Sequence, residues 1–179
     1  MDQRRTLEAA VDRVIPPDAD AGAREAGVAG FIEGYLSGIA SVYARPGGGF
    51  HDLHGPRADA WRRRIQALRA TYLEGLRELD ERSQSRFGSS FHELSPDRQD
   101  DVLASLEGEL PPEQSATVVM QLPTWEEGLS FFRLLVLHTR QGFYGDPVYG
   151  GNRGGVGWRV VGFPGPASEP NDRPSEEPA

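Results

Sequence analysis

The side chains best suited to chemistry gather near the C-terminal end of the chain. His138 closes an apolar run and is followed by Thr139 and Arg140, and Tyr144, Asp146, Tyr149 and Asn152 fall within the next 14 residues. An imidazole beside an acid and two phenols is the material of a general base, provided that a substrate pocket brings them together. A histidine in the last turn of a helix has a second use. The helix terminus favours imidazolium, and the ring can hydrogen-bond the adjoining loop as a purely structural group. Two readings therefore stay open: an independent small-metabolite enzyme built on His138, Tyr144 and Asp146, and a structural histidine that holds the loop.

Other constellations are weaker. Gly150-Gly151-Asn152-Arg153-Gly154-Gly155-Val156-Gly157 has the glycine content of a phosphate cradle. A dinucleotide fingerprint, however, follows a strand and opens a helix, so that the helix N-terminus meets the pyrophosphate. Here the order is helix, loop, and then a short strand predicted at Trp158-Arg159-Val160-Val161. His51-Asp52-Leu53-His54 supplies metal-ligand types at i, i+3, but no third and fourth ligand accompany them. The pairs Asp100-Asp101, Glu126-Glu127 and Glu176-Glu177 read as solvated faces or caps, and no G-x-S-x-G elbow is present. The sequence therefore assigns no catalytic, cofactor-binding or metal residue to this chain.

Composition narrows the chemistry further. Among 179 residues there is no cysteine, and all 19 basic residues are arginine. Thiol nucleophiles, thiolate metal sites, Schiff-base lysines and the lysine-dependent phosphate loop cannot be built. The net charge of −8 repels phosphate backbones and anionic lipid, which argues against a nucleic-acid or membrane-surface role. No apolar run approaches the roughly 18 residues of a membrane span. The Arg4-Arg5 pair leads into Leu7-Glu8-Ala9-Ala10 rather than into the apolar segment of a leader. The expected location is cytoplasmic, or extracytoplasmic if a leader has been removed.

The elements that must position these groups are helical. Leu7, Val11, Val14 and Ile15 recur at helical spacing over 2–15, until Pro16-Pro17 stop the helix. A second helix is predicted over 23–40. A long one covers 56–82, with Trp61, Ile65, Leu68, Tyr72, Leu76 and Leu79 on one stripe. Ser95-Pro96 opens a fourth, which ends near Gly108. Thr124-Trp125-Glu126-Glu127 reads as a capping box opening a fifth, apolar almost all round, that runs to Gly142. Such a helix must be enclosed by its own bundle or by a partner chain. Residues 142–165 then hold nine glycines and five aromatics in 24 positions. That composition suits an ordered loop pinned by its rings, with an Asp146-Pro147 turn and with Asn152 bonding the loop backbone or accepting positive φ. From residue 166 onward, prolines recur among acids, and the tail is expected to be disordered. The fold class is all-α: an irregular bundle of about five helices over 1–165, an ordered Gly/aromatic-rich C-terminal loop within it, and a disordered tail at 166–179.

Two stretches carry a family resemblance. Leu7-Glu8-Ala9-Ala10-Val11-Asp12-Arg13-Val14-Ile15-Pro16-Pro17-Asp18, followed by Gly22-Ala23-Arg24-Glu25-Ala26-Gly27-Val28, resembles the opening of the gluconate 2-dehydrogenase subunit 3 family. Gly142-Phe143-Tyr144-Gly145-Asp146-Pro147, Tyr149-Gly150-Gly151-Asn152, Gly157-Trp158 and Gly162-Phe163-Pro164-Gly165 resemble its most distinctive block. The resemblance implies a non-catalytic small subunit that binds and stabilises a large FAD-bearing oxidoreductase of the glucose–methanol–choline type. Such complexes act on sugars, sugar acids or glycosides, sometimes with a cytochrome c subunit. It also leaves open a transient assembly or export chaperone for the same flavoprotein. FAD and the proton-abstracting residues would belong to the partner. The candidate partner-binding residues are His138, Phe143, Tyr144, Asp146, Tyr149, Asn152 and Trp158, on the argument that glycine-embedded aromatics bring large contact area at small rotamer cost.

Overall fold

A computed structural model describes residues 2–46, 48–107, 126 and 128–166. Helix α1 spans Gln3–Val14, with Asp2 as N-cap accepting from the Arg5 amide. It buries Leu7, Ala10 and Val11. Helix α2 covers Val28–Ser37, shorter than the predicted 23–40. Gly27 takes a left-handed φ of 78°, which glycine adopts without steric cost, and residues 23–27 turn rather than wind. Gly38 ends the helix, and Ile39–Ser41 form a separate 3₁₀ turn.

Helix α3 covers Gly55–Phe87. Ile65, Leu68, Tyr72, Leu76 and Leu79 are all buried, and Trp61 is half-buried at the edge of the same stripe. Arg77 pairs with Glu74 and Glu81 on the solvent side. Gly88, at φ 72°, caps the helix with its amide on the Gln84 carbonyl. Helix α4 covers Pro96–Glu107, as Ser95-Pro96 predicted.

Helix α5 covers Phe131–Tyr144. It starts later than predicted. Ser130, not the Thr124 capping box, is its N-cap, while Thr124, Trp125 and Glu127 lie outside the described residues. It also runs past Gly142, which is a packing position rather than a stop: a Cβ there would stand 2.6 Å from the Phe31 ring. Helix α5 is the hub of the bundle, touching α1, α2, α3 and α4. Its near-continuous apolar character is thus met largely from within. Leu134, Leu135, His138, Thr139 and Phe143 are buried, and only Arg140 and Tyr144 are exposed.

After α5 come 3₁₀ turns at Pro147–Tyr149 and Arg153–Gly155, then the short α6, Val156–Val160. The strand predicted at 158–161 is therefore corrected: Trp158, Arg159 and Val160 are helical, and Val161 lies in the turn that ends α6. Gly155, at φ 67°, turns the chain into α6, and the Asn152 side chain receives the Gly157 amide. Val160 and Val161 are both exposed, so no alternating buried face exists for a strand to use. The described residues contain no strand, only an isolated bridge between Ala44 and Phe50. The architecture is all-α. No helix among the described residues is long and apolar enough to cross a membrane. The tail proposed for 166–179 lies, beyond Pro166, outside the described residues.

Candidate functional site

A buried polar chain crosses the bundle where α2, α3 and α5 meet. His138, fully buried on α5, has its Nδ1 at 2.9 Å from the Tyr72 hydroxyl on α3, which also stands 3.3 Å from the Leu134 carbonyl. Its Nε2 faces Glu126 Oε1 at 3.4 Å, an ion-pair separation without a formed hydrogen bond. A lone pair turned toward a carboxylate would be repelled, so the proton belongs on Nε2. Nδ1 can then accept from Tyr72. Glu126, 4% exposed, takes on its other oxygen Arg64 Nε at 3.1 Å, Arg64 Nη2 at 2.9 Å and the Tyr35 hydroxyl at 3.2 Å.

Burial pushes the Glu126 carboxyl up, but His138 and Arg64 together outweigh it and hold the group below its ordinary value. Burial, reinforced by the Glu126 charge, raises the Tyr35 hydroxyl, and burial raises that of Tyr72. These phenols are fixed hydrogen-bond donors near neutrality, not bases. The rings pack as tightly as the polar atoms: Tyr72 stacks on His138 at 5.7 Å between centroids, and Tyr35 meets the same imidazole edge-on at 5.4 Å.

The sequence missed this set. Glu126 read as part of a cap, and Tyr35, Arg64 and Tyr72 as members of helical stripes. One signal was available: a histidine on an otherwise apolar face must find a polar partner inside the protein. The structure also corrects the expected role of His138. It makes no bond to the C-terminal loop, because both ring nitrogens turn toward α3 and Glu126.

The loop holds itself. Asp146 Oδ1 accepts from the Val148 amide at 2.9 Å, forming the predicted turn. Asn152 does both things expected of it. At φ 47° it donates from Nδ2 to the Gly145 carbonyl and accepts the Gly157 amide on Oδ1, each at 2.8 Å. The indole Nε1 of Trp158 donates to the Tyr144 carbonyl at 2.9 Å. Tyr149 Oη receives the Ala44 amide at 3.1 Å. The block presses on the end of α5 so closely that a Cβ on Gly157 would lie 1.9 Å from the Phe143 carbonyl oxygen.

The candidate partner-binding residues therefore divide. His138, Phe143 and Asn152 are buried and serve the chain's own packing. Tyr149 and Trp158 are half-buried, while Tyr144 and Asp146 are exposed. Among the described residues the exposed large apolar side chains are Leu73, Tyr144, Val148, Val160, Val161 and Phe163, and all but Leu73 belong to this block. Val148, Val160 and Val161 escaped the sequence reading, which weighted aromatics over aliphatics.

Tyr144 and Asp146 line a cavity of about 640 Å³ that also reaches Tyr35, Arg64 and Glu126. His138 lies behind it and is not part of its wall. The set His138, Tyr144 and Asp146 is therefore not assembled around one space. Among the described residues no group of three His, Asp or Glu side chains is placed to hold a metal ion.

Asn152→Ala tests the loop. It strands the Gly145 carbonyl and the Gly157 amide and forces alanine into left-handed backbone. We expect a loss of ~3 kcal/mol and a Tm lower by roughly 6–12 °C, read by circular dichroism. A shift under about 2 °C would show that the loop does not depend on this side chain.

Comparison with known protein families matches residues 1–165 to the one described as gluconate 2-dehydrogenase subunit 3. No curated protein and no solved structure matches the chain.

Proposed function

The chain belongs to the gluconate 2-dehydrogenase subunit 3 family, accessory subunits that join a larger dehydrogenase subunit, and from that premise we propose that it is a non-catalytic small subunit which binds and stabilises a large FAD-dependent oxidoreductase of the glucose–methanol–choline type. The substrate class in this reading is sugars, sugar acids or glycosides. FAD sits in the partner, and a cytochrome c subunit completes some of these complexes.

The observation that carries the reading is the C-terminal block. It is rigidified from within by Asp146, Asn152 and Trp158, yet it leaves Tyr144, Val148, Val160, Val161 and Phe163 between 40% and 59% exposed. A pre-organised block that presents apolar side chains suits a permanent protein interface, because little ordering entropy remains to be lost on binding. The buried Glu126–His138–Tyr72 chain, with Glu126 at the cavity wall and His138 behind it, acts as a structural core of the subunit.

Two measurements test the division of labour. The purified chain alone should show no flavin absorbance and no dye-linked oxidation of sugars, and the chain with its large subunit should show both. Turnover by the isolated chain overturns the proposal.

A further inference from the structure

The cavity beside the C-terminal end of α5 is walled by six aromatic rings, those of Phe31, Tyr35, Tyr43, Trp61, Tyr144 and Tyr149. Its inner charges are already matched. Arg64 is spent on Glu126 and also covers the Trp61 face at 4.9 Å, while Asp146 is tied to the Val148 amide. Arg140 is different. It lines the same cavity, is exposed, and makes no hydrogen bond or ion pair among the described residues, although the chain carries 27 acidic side chains. It stands one turn before Tyr144 on α5. Both side chains also line a second cavity of about 610 Å³, walled by Val14, Ile15, Phe132 and Val136 and by Asp100, which is itself paired with Arg13. Arg140 and Tyr144 thus form a ridge between two recesses, and Tyr144 joins that ridge to the exposed apolar block.

We propose that the aromatic recess is a socket for one side chain of the large subunit: an aromatic ring that enters between Tyr144 and the Tyr43–Trp61 pair, whose own rings meet edge-on at 5.8 Å between centroids, carried next to an aspartate or glutamate that pairs with Arg140. The inference rests on the small-subunit reading and names the chemistry of the contact. A volume of this size takes a whole aromatic side chain. Aromatic anchors in desolvated pockets dominate interface energetics. The unpaired guanidinium at the mouth selects the charge of the neighbouring residue, since its planar fork pairs bidentately with carboxylate. The ridge gives the partner segment a path from the recess onto the apolar block.

The test uses the full chain and its large subunit, with affinity measured against ionic strength. Arg140→Glu should weaken the complex at least about 30-fold and flatten its salt dependence. Arg140→Lys should recover part of the loss, and Tyr144→Ala should weaken binding by a similar factor. Arg140 and Tyr144 are exposed, so thermal unfolding should confirm that these variants fold. Arg62→Ala, at an exposed residue of α3 paired with Asp59, should bind normally. If Arg140→Glu and Tyr144→Ala fold and bind the large subunit with unchanged affinity, the socket is refuted while the small-subunit function stands. If Arg140→Glu abolishes a homodimer and spares the heterocomplex, the occupant is a second copy and the proposal is wrong. Failure of the wild-type chain to bind any large dehydrogenase subunit overturns both.

Discussion

Glu126→Gln should cost the folded chain about 3 kcal/mol at neutral pH, a fall in Tm of roughly 6–12 °C for a chain of this size. Glutamine preserves the shape of the side chain but removes the charge that Arg64 and His138 both face. Arg64 is 12% exposed at its side chain and His138 is fully buried, so bulk water cannot fully replace the lost charge for either. Removing one member of such a set leaves a buried cation facing a neutral amide, which is the costly direction of change. The effect carries a pH signature. The folded-state carboxyl is held below its ordinary value of 4.5. Its contribution to stability is therefore fully present above that value and is lost as pH falls through the lower folded-state value. The gap in Tm between wild type and Glu126→Gln should be widest near neutrality and should close under acid conditions. Equal melting temperatures at neutral pH, or a gap that does not shrink in acid, would mean that Glu126 is not the keystone of this core.

The second large effect lies on the surface. Phe163→Ala should weaken the heterocomplex about 30-fold, and Val161→Asp should weaken it more, because the new carboxylate would be desolvated against the partner without a counter-charge. Val161 is 59% exposed and Phe163 45% in the chain alone. Melting of the isolated subunit should therefore move little for Val161→Asp. Phe163 also packs edge-on against Trp158 at 5.2 Å between centroids, so a modest loss of stability accompanies that substitution. Titration calorimetry of each variant against the large subunit reads the binding term, and thermal unfolding separates it from folding. If both variants bind like wild type, the C-terminal block is not the interface.

The helices were legible in the sequence because one physical signal, apolar side chains at a 3.6-residue period, dominates wherever a face is buried along its length. The stripe of α3 is the clearest case, and Ser95-Pro96 marked the start of α4 by local backbone chemistry alone. The errors fall where local and tertiary signals compete. Thr124 and Glu127 resemble a capping box, but Ser130 caps α5, and Glu126, between them, is drawn instead to Arg64 and His138. Gly27 and Gly142 look alike on paper. One sets the start of α2 by its left-handed backbone just before Val28, and the other sits inside α5 because Phe31 needs the space. Trp158-Arg159-Val160-Val161 has strand composition and no strand to pair with. The candidate site was half legible for the same reason. Asp146 and Asn152 act on backbone a few residues away, which spacing can show. Glu126, Arg64 and Tyr72 converge on His138 from distant parts of the chain, and no spacing rule reports that.

The central proposal is that the chain is a stoichiometric, non-catalytic partner of a large flavoprotein. The most direct measurement is affinity purification of the tagged full-length chain from cells that express it together with its large subunit, followed by mass determination and a visible absorbance spectrum of the eluted species. The expected result is a stable complex that carries bound flavin and oxidises sugar substrates, with all flavin remaining on the large subunit when the two are separated. A chain that elutes alone, with the large subunit soluble, flavin-loaded and active in its absence, would contradict it.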